Sequence, residues 1–314
     1  MPTVLLGLTW IAALGTGLAV TLFASARTVQ HTRSLVEATR IPPFFIGITL
    51  LAVGTDLPEI ANSVISSATG HGDLNAGDSI GSTITQATLV LGLLPFFAAG
   101  FVVRPLRVLA VCGVTIAALA LGALLMRDGD LSRFDGAVLV ASWIAGSILL
   151  IKYLSESEST GEITDHPHRV RHGLAALGYL MLVGVGSAVV VTAFAEISDL
   201  LGVPEYLLSF FLASVGTSLP ELVVDVTALR SGHFGLALGN TLGSSFVDAT
   251  LSIGIGPLLF PTAVTASLAV TGSLAAMAGI ALIAMLLALS RRHNRFTGAI
   301  FIGIYVSLYF VMLA

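Results

Sequence analysis

Ten apolar runs, each long enough to cross a hydrocarbon core as a helix, follow one another with short polar breaks between nearly all of them. They cover roughly residues 4–25, 42–69, 77–102, 107–126, 134–153, 173–195, 204–230, 235–259, 264–290 and 296–313. Such runs exclude a soluble domain. The composition agrees: 55% of residues are hydrophobic, 10% are charged, and the mean hydropathy is +0.97. The short alternating segments of a β-barrel are absent. The chain therefore reads as an all-α polytopic membrane protein with the lipid bilayer as its solvent. The first run ends in FASA, which is like a signal-peptide cleavage site. No basic residue precedes it and its apolar stretch is long, so a retained helix is expected. Cys112 is the only cysteine, which leaves no intramolecular disulfide.

Basic residues in short loops stay on the cytoplasmic side. Taking alternate loops, Arg27, Arg33, Arg40, Arg104, Arg107, Lys152, Arg169, Arg171, Arg230, Arg291, Arg292 and Arg295 fall on one side, and only Arg127 and Arg133 on the other. This predicts both termini outside the cytoplasm. The basic residues are spread over membrane loops and the net charge is −4, so no nucleic-acid-binding face is expected.

Shifting the chain by 162 residues aligns Val53–Gly92 with Val215–Gly254 without a gap, and 17 of those 40 positions are identical. Five runs per copy is an odd number, so the second copy must enter the membrane in the opposite direction. The expected architecture is ten transmembrane helices as two inverted five-helix repeats, residues 1–154 and 173–314, joined by a cytoplasmic linker, 155–172. Inverted repeats are a common design of secondary transporters, whose ions bind near the midplane between the halves. The linker histidines His166, His168 and His172 match no tight metal-site spacing, and a solvated linker is expected.

Each copy carries G-T-x-L-P-E within an apolar run, GTDLPE at 54–59 and GTSLPE at 216–221, then a Gly-His turn and a run opening G-[DN]-x-[IL]-G-S. Pro58 cannot donate to the carbonyl of Gly54, nor Pro220 to that of Gly216, so a helix breaks or opens at both places. A kink made only for packing is the competing reading. The acids that follow argue against it. Asp56, Glu59, Glu221 and Asp248 have no basic residue in mid-span, and a charge at the bilayer centre costs about 2.5–3.5 kcal/mol or more. They must be protonated or matched by cations. Asp78, Ser82 and Gln86 form an i, i+4, i+8 stripe, repeated by Asn240, Ser244 and Asp248. Carboxylate, amide, hydroxyl and carbonyl oxygens without His or Cys suit hard ions such as Ca2+ or Na+. Asp78 is expected at the mouth of its span. Asp225 has two readings, lining the approach to the site or solvated near a helix end. His71 and His233 are expected to pack at helix ends.

On these motifs, GTSLPE followed by GNTLGSSFVDA above all, the chain resembles the calcium/cation antiporter superfamily, and most closely its prokaryotic sodium/calcium exchangers. The resemblance spans both repeats. It implies a secondary transporter, not an enzyme, in a prokaryotic cell membrane, exporting Ca2+ against Na+ by alternating access. It implies that Glu59 and Glu221, with the carbonyls of Thr55 and Thr217, hold Ca2+. It further implies flanking coupling-ion sites at Ala52, Ser214, Ser218, Ser82 and Ser244, with Asp248 where the family has Asn or Asp. Three positions depart from the pattern: Asp56 replaces the family's serine, Gln86 its asparagine, and Gly77-Asp78 its Gly-Asn. The first two change the coupling-ion positions, so H+ coupling is the alternative, and an acid at position 248 also occurs in K+-dependent relatives. A passive cation channel would suit a carboxylate-lined path, and an intramembrane aspartyl hydrolase would use two aspartates. The second explains neither the duplicated Pro-Glu nor the lack of a single catalytic half.

Overall fold

The computed structural model describes residues 2–36, 43–97, 100–154, 169–230 and 232–313. The chain is nearly all helix. Its first half contains α1 (Pro2–Val36), α2 (Pro43–Ile46), α3 (Ala52–Thr55), α4 (Leu57–Thr69), α5 (Gly72–Ile84), α6 (Leu91–Phe97), α7 (Pro105–Leu125) and α8 (Arg133–Leu154). The second contains α9 (Arg169–Leu201), α10 (Glu205–Leu208), α11 (Ser214–Thr217), α12 (Leu219–Arg230), α13 (Phe234–Val247), α14 (Ile253–Leu259), α15 (Ala266–Leu289) and α16 (Arg295–Leu313). Among the described residues, eight helices are long and apolar enough to span a membrane, nine with the bent pair Phe44–Thr55 and Leu57–Thr69. The remaining expected run, 173–195, falls within α9, where several side chains lie outside the description. Residues 155–168, most of the expected linker, lie outside it too.

Four short segments are π-helical: Gly47–Leu51, Thr85–Val90, Ser209–Ala213 and Asp248–Ser252. They join α2 to α3, α5 to α6, α10 to α11 and α13 to α14. Each inserts one wide turn into what would otherwise be a regular helix. The sequence reading assumed a 3.6-residue period throughout and contained none of them.

The polar side chains of α5 and α13 are largely buried. The stretches Gly72–Phe97 and Phe234–Leu259 are mostly buried, whereas α1 and α8 turn most of their residues outward. In a bilayer this is the stable arrangement, because helix faces that meet lipid can be wholly apolar and polar groups must find one another. The two central helices cross the interrupted segment of the opposite half closely. Gly77 lies so near Tyr206 that a Cβ there would stand 2.5 Å from the Tyr206 carbonyl oxygen, and one on Gly47 would stand 2.6 Å from that of Leu236. Only glycine permits these backbone approaches.

Two small antiparallel pairs tie the ends. β1 (Phe101–Val102) pairs with β4 (Arg292–His293), and β2 (Asp130–Leu131) with β3 (Thr262–Ala263). The β1/β4 end also holds Arg230, whose guanidinium lies 5.8 Å from the Phe97 ring centre. The β2/β3 end holds the start of α5, where Gly72 abuts Thr262 and Ala263.

Candidate cation site

The first interruption falls where the sequence expects it. α3 ends at Thr55, Asp56 leaves the helical region at φ −77°, ψ 12°, and α4 resumes at Leu57 with Pro58 in its first turn and a bend of 45°. Proline is tolerated there because first-turn N–H groups have no helical acceptor. The second interruption is milder: Ser218 takes φ −80°, ψ 4°, yet Glu205–Arg230 continues as one span. The expected break is therefore sharp in one copy and local in the other. Both place the C-terminal end of one half-helix against the N-terminal end of the next. Glu59 and Glu221 stand in the first turns of α4 and α12, where the helix dipole favours a negative charge.

Asp56, Glu59 and Glu221 are fully buried, and each offers a carboxylate oxygen within 4.8 Å of the other two. Neither oxygen of Glu59 or Glu221, nor Oδ2 of Asp56, has a hydrogen-bond partner among the described residues. The Gln86 amide donates to Asp56 Oδ1 over 3.5 Å. Asp248, the first residue of its π-helical turn, is also fully buried with both oxygens unpartnered among the described residues. None of the four acids has an ion pair among the described residues; the one His–carboxylate contact there, His71 Nδ1 to Glu205 Oε1 at 2.7 Å, involves none of them. Like charges about 4.8 Å apart repel by roughly 3 kcal/mol per pair at an effective dielectric of 20. The cluster requires cations or protons to be tolerated.

The remaining residues singled out in the sequence are buried around it: Ala52, Thr55, Ser82, Ser214, Thr217, Ser218 and Ser244. Ser82 Oγ is 3.3 Å from Thr217 Oγ1, and Ser244 Oγ is 3.4 Å from Thr55 Oγ1. Ser214 Oγ lies 3.4 Å from Thr85 Oγ1, and Ser218 Oγ is unpartnered among the described residues.

Two expectations are corrected. α5 begins at Gly72, not near Gly77, so Asp78 lies well inside the helix and is fully buried; it is not at a mouth. Asp225 is also fully buried, which removes its solvated reading. Both belong to carboxylate–amide pairs that sequence reasoning missed. Asp78 accepts a short hydrogen bond from Asn62 Nδ2 and another, 3.1 Å, from Thr217 Oγ1. Asp225 accepts from Asn240 Nδ2 at 3.0 Å and Thr241 Oγ1 at 2.6 Å, while Asn240 Oδ1 accepts from Thr55 Oγ1 at 3.3 Å. Acid and amide have exchanged helices between the copies. The pair of each half holds the threonine of the other. A signal was present: Asp78 and Asn240 are aligned, so an acid facing an amide in one copy invites a search for the reciprocal pair. His71 and His233 are the N-caps of α5 and α13, as helix-end packing requires.

Residues 9–152 and 172–314 match the sodium/calcium exchanger protein family. The chain belongs to that family. Among its relatives, the sodium/calcium exchanger MaX1 of Methanosarcina acetivorans is 26% identical over 94% of this chain and 96% of its own. The inner membrane protein YrbG of Escherichia coli is 28% identical over 80% of each. The solved sodium-calcium exchanger NCX_Mj, soaked with 10 mM Na+ and 10 mM Sr2+, superposes with a TM-score of 0.66 at 26% identity, covering 95% of this chain and 96% of that one. This exchanger-family chain is thus an integral membrane cation antiporter, a transporter and not an enzyme.

Proposed function

We propose that the chain exports Ca2+ in exchange for Na+ by alternating access. The observation that carries this is the buried cluster of Asp56, Glu59 and Glu221, with unpartnered oxygens on all three carboxylates. On this reading Glu59 and Glu221 hold Ca2+, with the carbonyls of Thr55 and Thr217. Those residues end α3 and α11, and half-helix C-termini present carbonyl oxygens to cations. Ser82, Ser214, Ser218 and Ser244, with Ala52, Gln86, Asp56 and Asp248, flank that site and serve the coupling ion. Carboxylates shared between the two cations make their binding competitive, so one must leave before the other enters. The sodium/calcium names of the family and of MaX1 support Na+ as the partner.

The same reading keeps ten spans as two inverted repeats with both termini outside the cytoplasm. The inversion is supported by α5 starting at the β2/β3 end while α13, its sequence duplicate, starts by the cleft lined by Val102 and Arg104 at the β1/β4 end. Radioactive Ca2+ uptake into proteoliposomes tests the coupling. Uptake is expected with an outward Na+ gradient at clamped pH, and none with a pH gradient in the absence of Na+. Uptake driven by the pH gradient alone would overturn Na+ coupling.

A further inference from the structure

Helix α16 touches two of the π-helical turns, one from each half. Tyr309 donates from its hydroxyl to the carbonyl oxygen of Phe211 at 2.9 Å, and its ring centre lies 4.2 Å from that of Phe211. Phe211 sits inside the π-helical turn Ser209–Ala213, which ends where Ser214 begins α11. A donor from outside that engages a helix carbonyl supports such a widened turn. Tyr305, one turn earlier and 8% exposed, shares a short hydrogen bond with Tyr309; because the Tyr309 proton goes to Phe211, Tyr305 is its donor. α16 also packs on the turn Thr85–Val90 of the first half. The two turns meet where Thr85 Oγ1 lies 3.4 Å from Ser214 Oγ.

The arrangement is one-sided. The 162-residue shift also aligns Arg133-Phe134 and Gly136-Ala137 of α8 with Arg295-Phe296 and Gly298-Ala299 of α16, and so sets Trp143 and Ser147 opposite Tyr305 and Tyr309. Neither Trp143 Nε1 nor Ser147 Oγ has a hydrogen-bond partner among the described residues. Thr49, the counterpart of Phe211, donates its hydroxyl to the Phe45 carbonyl of its own segment at 2.6 Å. Among the described residues, then, an outer helix pins the turn before Ser214 and leaves the duplicate turn, before Ala52, unpinned. We propose that Tyr309, oriented by Tyr305, is a positioning residue for the coupling ion: by fixing this turn it sets where Ser214 stands and, with it, the affinity for that ion, which presupposes that Ser214 serves the coupling ion.

Two measurements on proteoliposomes test this: radioactive Ca2+ uptake against the Na+ concentration inside, and Ca2+ self-exchange without Na+ against the Ca2+ concentration. Tyr309→Phe keeps the ring that packs on Phe211, so it is expected to fold. It is expected to raise the Na+ concentration for half-maximal uptake about fivefold, the usual net effect of losing one hydrogen bond. The Ca2+ concentration for half-maximal self-exchange is expected to stay at the wild-type value, a split that general loosening of the fold would not produce. Tyr305→Phe is expected to shift the Na+ dependence in the same direction by less, and Ser147→Ala to shift neither. Wild-type Na+ dependence in either tyrosine variant, parallel movement of the Na+ and Ca2+ dependences, or an equal shift in Ser147→Ala would overturn the inference. A wild type whose Ca2+ exchange ignores Na+ would sink the Na+-coupled reading itself and this inference with it, so the wild-type arm tells the two failures apart.

Discussion

Asp56 is the residue at which α3 gives way, and it adds a third carboxylate to a pair that already lacks donors. A site that carries mutual repulsion in the absence of ions trades stability for affinity. Glu59→Gln is therefore expected to abolish Ca2+ exchange while raising the melting temperature in chelator-treated detergent by about 2–4 °C, the equivalent of roughly 1 kcal/mol in a chain of this order of size. Flux assays and thermal unfolding read the two effects. Retained exchange would remove Glu59 from the site, and a lower melting temperature without ions would contradict the repulsion. Asp56→Ser introduces the residue that the second copy has at the aligned position, Ser218. It is expected to keep Ca2+ exchange but to shift the Na+ concentration for half-maximal rate several-fold, and an unchanged Na+ dependence would exclude Asp56 from the coupling-ion position. The acids themselves were legible because an unpaired charge in an apolar run demands an explanation. Their proximity was not, because it depends on which helices cross.

At the scale of elements, the carboxylate–amide pairs brace the site from either side. Asn62 and Asp78 join α4 to α5 and engage Thr217; Asp225 and Asn240 join α12 to α13 and engage Thr55. Removing one acid leaves a buried amide donor without its acceptor, at about 1–3 kcal/mol, while the threonine hydroxyl keeps a backbone carbonyl, Ala237 for Thr241 and Ala213 for Thr217. Asp225→Ala is expected to lower the melting temperature by several degrees, and Asp225→Asn by less, because an amide oxygen still accepts from Thr241. Equal melting temperatures for wild type and Asp225→Ala would show that these bonds contribute nothing net. The sequence foretold the stripes Asp78, Ser82, Gln86 and Asn240, Ser244, Asp248 but not these pairs. It placed the start of α5 too late, since the apolar run resumes only after Asp73 and Asn75, whereas helix geometry begins at Gly72. The π-helical turns were also invisible. An i to i+5 bond changes no residue type, so Gln86 and Asp248 carry no mark of the wider turn in which they sit.

Across the whole molecule, α1 and α9 pack along each other and against the segments that hold the site, while α5 and α13 lie at the centre. Small residues mark this boundary: Gly17 meets Val189 and Val190 within the α1/α9 pair, and Gly216, one residue before Thr217, meets Leu18 of α1. On the proposed reading, alternating access moves the α1/α9 pair against the central helices, with the interface of Leu18 and Gly216 as the sliding contact. A Cβ on Gly216 would lie 3.0 Å from Leu18 Cδ2 and 3.8 Å from its Cγ, so the two positions are in side-chain contact and a cysteine pair there is a direct probe of this interface. In a Cys112→Ala background, Leu18→Cys with Gly216→Cys is expected to exchange Ca2+ when reduced, to lose exchange on oxidation, and to recover it when the disulfide is reduced again. The same cycle in either single variant is expected to change nothing. Full exchange by the oxidised, cross-linked protein would show that α1 and the site move as one body, and alternating access would then have to arise among the central helices alone.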